Sequence, residues 1–516
     1  MRSRRVVVLV VAGVVLVGVG LRLWLQVLPT GAVDSDEAIV GLMARHLIHQ
    51  HEFPTFFYGQ AYGGSLEALL AVPLFAVVGS TVWALKLVPA VLSAVAAVLV
   101  WRVGRRTVGE RAGVVAALAF WVWPANYLWL STKTRGFYWA CLVLGLAFVL
   151  LVLRLVERPE RRRDWALLGL VGGLGWWASP QILYFALPGL AWLVFRRPRH
   201  TGWLLLAALF AFLGAAPWLL HNARYGWDSL HVTAPEEWDA GYWGNIRVLV
   251  TEAVPVALGL RSSEHWFVPV LFPAVYVAAL ATPALWRARR RAARCGLLVV
   301  VVGLFPLVWG ALPVSGVVGE GRYVLFLFPF LVLLLVGALA PDLRRQVVLV
   351  VGAVALTVVG TLWLRDHAAP YAPDVAMPRR VGPLIDALEA EGLDRAHANY
   401  WIAYRVSFES RERVVVNPVD VPRYQPYQHA LNAADRPPFL FVRGSRVGAR
   451  FRRGLDRLEV PYRTVVAGDF VVLRPLLRVH YYDVLRAGKA AGLGSPPHAA
   501  GVVQRTRVPA AMKQRA

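Results

Sequence analysis

Leu66-Glu-Ala-Leu-Leu-Ala-Val-Pro-Leu-Phe-Ala-Val-Val78 decides the fold of this chain. The stretch is apolar, yet too short to cross roughly 30 Å of hydrocarbon, and it carries Glu67 and Pro73. Eleven further apolar runs surround it: Val6–Leu28, Ala84–Trp101, Ala112–Leu128, Phe137–Leu153, Trp165–Ala178, Ile182–Phe195, Trp203–Leu220, Trp266–Leu285, Gly296–Leu312, Tyr323–Leu339 and Val347–Leu364. Most are long enough to span, although the two flanking Ser179-Pro180-Gln181 are short. With the N-terminus inside and 66–78 not crossing, the inner loops collect the arginine knots. These are Arg102/Arg105/Arg106/Arg111, Arg158/Arg161/Arg162/Arg163, Arg196/Arg197/Arg199, Arg287/Arg289/Arg290/Arg291/Arg294 and Arg344/Arg345. If 66–78 crossed, every later knot would face outward, against the positive-inside bias. The stretch therefore reads as an interfacial or half-inserted helix.

Composition agrees. The 516 residues are 58% hydrophobic and 17% charged, with a mean hydropathy of +0.53; soluble domains carry about 25% charged residues. The net charge of +24 would suggest nucleic acid on a soluble protein. Here the arginines sit between apolar runs and report topology, so nucleic acid is excluded as a partner. Aromatic clusters (Trp121, Trp123, Tyr127 and Trp129; Trp176 and Trp177; Trp363) fall at outer boundaries, at headgroup level. The N-terminal run has no clean small-x-small cleavage site and reads as an uncleaved first helix. Cys141 and Cys295 fall at opposite ends of their helices, so no bridge is expected.

The fold expected is thus an all-α polytopic membrane protein. It has about 11 transmembrane helices, an interfacial helix after the first span, and a small extracytoplasmic α/β domain. Residues 1–365 form the membrane domain and 366–477 the α/β domain. Strand-like runs there are Arg413–Asn417, Phe439–Val442, Arg463–Val466 and Phe470–Leu473, among helix-like Val381–Glu391 and Val447–Leu458. Residues 478–516, rich in Gly, Ala, Pro and Arg, read as a disordered basic tail.

Chemistry concentrates where the topology discourages charge. Asp34, Asp36 and Glu37, in Val33-Asp-Ser-Asp-Glu-Ala38, open the first outer loop. One or two such acids are explained by a helix start, with Asp34 or Ser35 as N-cap. Three within four positions also fit a catalytic base or a metal site. Only four lysines occur, and Lys86 and Lys133 both fall at outer helix ends. Arg135 follows in Ser131-Thr-Lys-Thr-Arg-Gly136, and Arg322 in Gly319-Glu-Gly-Arg-Tyr323. Such cations suit a phosphate; the alternatives are snorkelling to headgroups, above all for Lys86, and an ion pair of Arg322 with Glu320. Tyr58-Gly-Gln-Ala-Tyr-Gly-Gly64 supplies Tyr58, Gln60 and Tyr62 as candidate lining residues, or an ordinary glycine-rich turn. His221, His231 and His265 are reserve candidates.

An acidic pair opening the first outer loop, followed by "FP…YGQAYGGSLEALL", resembles the GT-C superfamily of polyprenyl-phosphate-sugar glycosyltransferases. That group includes the protein O-mannosyltransferases and the lipid A aminoarabinose transferase. "LSTKTRGFY", "GGLGWWASPQ" and "GEGRYVLFLFPFLVLLL" are similar to a bacterial branch of it, and the likeness extends over about the first 365 residues. The resemblance implies Asp36 and Glu37 as catalytic base or acceptor-positioning acids, with Asp34 beside them. It also implies Lys133, Arg135, Arg322 and Lys86 as cations for the donor phosphate. No metal site and no cofactor are expected, although the family leaves a divalent cation open.

The function implied is an inverting transfer of a sugar, hexosyl or pentosyl, from a polyprenyl-phosphate donor to an envelope acceptor on the outer face of the cell membrane. One carboxylate deprotonates the acceptor while cations stabilise the departing phosphate. The N-terminus would be cytoplasmic, the C-terminal domain extracytoplasmic, and membrane lipid the surrounding partner. The alternative is a transporter or lipid flippase without transferase activity, for which mid-membrane charges and repeated halves would be expected. A third is an envelope scaffold.

Overall fold

The computed structural model describes residues 2–231, 240–262, 265–267, 295–311, 321–339, 343–366 and 378–489. The run Trp266–Leu285 and the candidate pair partner Glu320 lie almost wholly or wholly outside these residues. The chain forms two compact units, Met1–Ala368 and Ala369–Ala516.

The first unit is helical. Its elements are α1 (Arg2–Val27), α2 (Ser35–His49), α3 (Leu66–Val78), α4 (Val82–Thr107), α5 (Glu110–Val122), α6 (Ala125–Leu130) and α7 (Tyr138–Glu157). Then follow α8 (Arg162–Ala178), α9 (Leu183–Arg196), α10 (Leu204–Gly214), α11 (Ala216–Tyr225), α12 (Tyr242–Val248) and α13 (Val254–Ala257). The unit closes with α14 (Cys295–Gly310), α15 (Phe328–Leu339) and α16 (Leu343–Asp366). Among the described residues four helices are long and apolar enough to cross a membrane: Val8–Val27, Val82–Thr107, Tyr138–Glu157 and Arg344–Asp366. A fifth span forms if α10 and α11, bent by 63°, count as one. Among the described residues some of the other apolar runs are cut by turns. Ala112–Leu128, for instance, breaks at Trp123-Pro124 into α5 and α6. Leu66–Val78 is a short apolar helix outside the spanning set.

Small residues let the helices approach. A Cβ on Gly169 of α8 would lie 1.8 Å from the Ala207 carbonyl oxygen of α10, and one on Gly173 would lie 2.0 Å from that of Ala211. Lipid tails are as apolar as leucine, so helices in a bilayer gain contact by close backbone packing rather than by excluding water. The glycines of "GLVGGLG" provide it here. Gly104 of α4 and Gly113 of α5 meet in the same way.

The second unit contains α17 (Gly382–Ala390), β1 (Arg395–Ala398), α18 (Tyr400–Glu409), β2 (Val415–Pro418), α19 (Gln425–Asn432) and β3 (Phe439–Val442). It continues with α20 (Arg446–Arg457), β4 (Tyr462–Ala467), β5 (Phe470–Pro475) and α21 (Tyr481–Ala487). The strand order is β2-β1-β3-β5-β4, parallel across the first three and antiparallel at β5 and β4. Val381, Leu384, Ile402 and Val406 fill one face of the sheet; Phe439, Phe451, Leu455 and Val484 fill the other. Tyr400, Tyr424 and Tyr427 are buried, as core aromatics are. Helix α21 lies within the segment whose composition reads as a disordered tail; residues 490–516 lie outside those described. Strand β1 is absent from the sequence-based expectation, because Arg-Ala-His-Ala lacks the β-branched and aromatic residues that mark strands.

Replacing Gly169 with leucine should therefore separate α8 from α10, since the added Cβ meets backbone rather than a movable side chain. The expected loss is about 1–3 kcal/mol or more. It is read as a lowered melting temperature of detergent-purified protein by fluorescence-detected gel filtration; an unchanged melting point would contradict this packing.

Candidate active site

The site is built on the N-terminus of α2. Asp34 is its N-cap: the carboxylate Oδ1 accepts the Glu37 N–H (3.1 Å), and Glu37 Oε2 accepts the Asp34 N–H (3.3 Å), a capping box. The helix start expected from the sequence is present, and it does not exhaust the acids.

Glu37 is fully buried. Its Oε1 receives Lys86 Nζ from α4 at 2.9 Å, and its Oε2 receives Lys133 Nζ at 2.8 Å from the loop between α6 and α7. Lys86 also donates to the Thr132 carbonyl (3.2 Å), and Lys133 to that of Ala32. Asp34 Oδ2 lies 3.5 Å from Lys133 Nζ and 3.1 Å from Arg135 Nη2. Burial pushes the Asp34 carboxyl up, but Arg135 and Lys133, with the Glu37 N–H, overcome this and hold it down at about 2.

Asp36 faces outward from this frame. Its Oδ2 lies 2.8 Å from Arg135 Nη1 and 3.9 Å from Arg322 Nη1. The Asp36 and Arg322 side chains are 22% and 20% exposed, whereas Asp34, Glu37, Lys86, Lys133 and Arg135 are at most 4% exposed. The cluster thus has an inner layer that is fully ion-paired and an outer edge open to a ligand. Three carboxylates against four cations leave it one formal positive charge. Trp129 lies beneath Lys133 and Arg135, its ring centre 5.7 and 5.6 Å from the two charges. Arg322 lies 5.7 Å from the Tyr138 ring and 5.2 Å from that of Tyr323.

The structure brings together all seven charged residues singled out in the sequence. Lys86 and Lys133 do not snorkel; both are directed onto Glu37. Tyr58, Gln60 and Tyr62 occupy the loop between α2 and α3. The Tyr58 hydroxyl is buried and 2.9 Å from His46 Nδ1 of α2, which ties the loop down. Tyr62 meets Phe137 edge-on at 6.5 Å, and Gln60 is half-buried with its N–H on the Phe57 carbonyl (3.1 Å). His221 pairs with Asp228 (3.2 Å), and the His265 N–H bonds Ser262 within its own turn (2.9 Å).

Two supporting residues were not singled out from sequence. Arg22, buried in α1, donates Nε to Ser131 Oγ (2.7 Å) and stacks 3.7 Å from the Trp121 ring, anchoring the start of the Ser131–Gly136 loop. Glu67 anchors its other end: Oε1 accepts the N–H groups of Trp139 (3.1 Å) and Ala140 (3.4 Å) at the start of α7. A lone acid in an otherwise apolar run was the signal available for it. Burial pushes the Glu67 carboxyl up to about 7, against the pull of those backbone N–H groups.

The family model of dolichyl-phosphate-mannose-protein mannosyltransferases matches residues 67–221. That span contains Glu67, Lys86, Lys133 and Arg135 and begins after the acids of α2. No curated protein matches the chain in sequence. In structure, the chain is similar to ArnT from Cupriavidus metallidurans in the apo state (TM-score 0.60, 14% identity, 95% of this chain and 100% of that one). It is also similar to the same protein bound to undecaprenyl phosphate (TM-score 0.57, 15% identity, 90% and 97%). The apo Archaeoglobus fulgidus oligosaccharyltransferase matches at a TM-score of 0.52, with 12% identity over 92% and 77% of the two chains. The chain thus shares the fold of these structures, and the family match covers residues 67–221 of it.

Glu67 gives the site a pH signature. Its folded-state value of about 7 exceeds the ordinary 4.5, so its contribution to stability is fully present below about 4.5 and is lost as pH rises through about 7. Glu67→Gln should flatten the decline of melting temperature between about pH 5 and pH 8 relative to wild type. Parallel pH profiles for the two proteins would refute the assignment.

Proposed function

We propose that this protein is an inverting membrane glycosyltransferase. It moves a sugar from a polyprenyl-phosphate donor to a hydroxyl of an envelope acceptor on the outer face of the cell membrane. The observation that carries the reading is the layered cluster, in which only Asp36 and Arg322 reach the open edge and the net charge is positive. ArnT from Cupriavidus metallidurans was crystallised bound to undecaprenyl phosphate, and a donor of that class suits a site with one positive charge in excess.

Asp36 takes the proton of the acceptor hydroxyl, whose oxygen then attacks the anomeric carbon as the bond to the phosphate breaks. Arg322 and Arg135 receive the charge that develops on the phosphate. A lipid phosphate is already a competent leaving group, so no general acid is required. In-line attack inverts the anomeric centre. Glu37, Asp34, Lys86 and Lys133 act as the frame: each satisfies another's charge and holds Arg135 and Asp36 in place. Tyr58, Gln60 and Tyr62 border the space under the loop. Lipid tails enter between helices.

Orientation belongs to the same proposal. The chain crosses the membrane about 11 times, with its N-terminus cytoplasmic and its α/β unit extracytoplasmic, as the arginine knots require. So does metal independence. Each carboxylate of the cluster already faces a lysine or arginine, so a divalent ion would have to displace a paired cation. Among the described residues no group of three or more His, Cys, Asp or Glu side chains is placed to hold a metal.

In membranes supplied with a panel of radiolabelled polyprenyl-phosphate sugars, Asp36→Asn should lower transfer by about 10²–10⁴-fold at normal expression and an unchanged melting temperature. Full activity would remove Asp36 from the mechanism, and lipid movement without transfer by wild type in proteoliposomes would favour a flippase. EDTA should leave the rate unchanged within twofold. Loss of activity restored by Mg²⁺ or Mn²⁺ would refute metal independence.

A further inference from the structure

The α/β unit holds a cavity of about 260 Å³ on the face of the sheet carrying Phe439, in the gap between α19 and α21. His397 of β1, Asn417 of β2 and Phe439 of β3 line it from the strands. Two buried polar atoms there have no hydrogen-bond partner, His397 Nδ1 and Asn417 Oδ1. An orphaned polar atom costs about 1–3 kcal/mol, and these two lie on neighbouring strands, in register with one another. The Asn417 amide is oriented, since its Nδ2 donates to the Pro418 carbonyl (3.2 Å). Its oxygen is thereby left to accept from a ligand O–H. The His397 ring is held against Phe439, centroids 5.3 Å apart. Burial lowers the ring's affinity for protons, against a hydrogen bond with the Asn417 backbone that raises it.

The remainder of the lining sets the ligand class. Tyr481 stacks parallel to Phe439 (5.9 Å) and Tyr482 is pinned through its hydroxyl to the Val419 carbonyl (3.1 Å), giving flat aromatic walls. Gln428 adds an amide from α19. The cavity is lined by two arginines and two histidines and by no carboxylate. Arg436 is paired with Asp435 (2.7 Å), but among the described residues Arg478 holds a neutral partner, the Asn432 carbonyl (2.9 Å). The volume falls just below the roughly 300 Å³ at which pockets for drug-sized ligands begin, room for one ring and not for a chain.

From this geometry we propose that the α/β unit is a binding module for a single anionic sugar residue. The sugar's hydroxyls bond Asn417 and His397, its ring lies along the aromatic wall, and its carboxylate or phosphate lies at Arg478. The module is independent of the transfer chemistry assigned to Asp36 and goes beyond it, giving the protein a second, non-catalytic hold on acidic glycan.

Saturation-transfer NMR and competition titrations on the full-length protein in nanodiscs test this, with glucuronate, glucose 1-phosphate, glucose and inorganic phosphate as probes. Glucuronate or glucose 1-phosphate should bind at least tenfold more tightly than glucose, and whichever binds better identifies the acidic group. Asn417→Leu and the rim variant Arg478→Ala should each weaken binding at least tenfold, with the Asp36-dependent transfer rate in a fixed donor assay unchanged. No saccharide binding, equal affinity for glucose, inorganic phosphate binding as tightly as the sugars, or binding unaffected by Arg478→Ala would each overturn the proposal. Asn417→Leu is read only if it melts within 2 °C of wild type, a limit of roughly 1 kcal/mol or less; Arg478→Ala carries the test otherwise.

Discussion

A carboxylate sealed from water must be neutralised where it stands, and Glu37 is neutralised by two lysines brought from different parts of the chain. Lys86 comes from α4 and Lys133 from the loop before α7, so a single buried acid ties three elements together. Removing one partner from such a group leaves an uncompensated buried charge, at a cost of about 3–5 kcal/mol. Neither lysine can move without stranding Glu37, and Glu37 cannot move without breaking the capping box it shares with Asp34. The orientation of Asp36 on the same turn is therefore fixed by residues that are themselves buried.

That rigidity separates the roles of like residues. Four cations lie within one cluster, but the two lysines are consumed by the frame and the two arginines face Asp36. Arginine suits the outer position because its fork can serve a carboxylate and a phosphate together, whereas a lysine presents one point charge. The loop carrying Lys133 and Arg135 is held at both ends, by Arg22 through Ser131 and by Glu67 through the first N–H groups of α7. Such supports keep the charged groups of the loop preorganised.

The α/β unit follows a different logic. Its two faces are packed, yet a polar gap persists between α19 and α21 where an apolar residue would have closed it. His397 and Asn417 are placed there by adjacent strands in register, each with one buried polar atom that has no partner among the described residues.

Much of this was legible in the sequence. Apolar runs and arginine knots follow from the cost of burying charge in lipid, a local property that each segment carries by itself, so the membrane class and the short apolar helix at 66–78 could be read directly. The acids, Lys86, Lys133, Arg135 and Arg322 stood out for the same reason: each was charged where charge is discouraged. What the sequence did not reveal was who pairs with whom. Asp36 and Glu37 are adjacent and chemically alike, and only the tertiary structure decides that one is sealed between lysines and the other faces the open edge. Some apolar runs, such as Ala112–Leu128, are divided by a turn into two helices, which their hydropathy alone does not reveal. Strand β1 and the cavity beside it arise from contacts between segments far apart in the chain, and no local pattern encodes those. Composition determines which medium each segment prefers; the partner of a charge depends on three-dimensional proximity, which folding alone supplies.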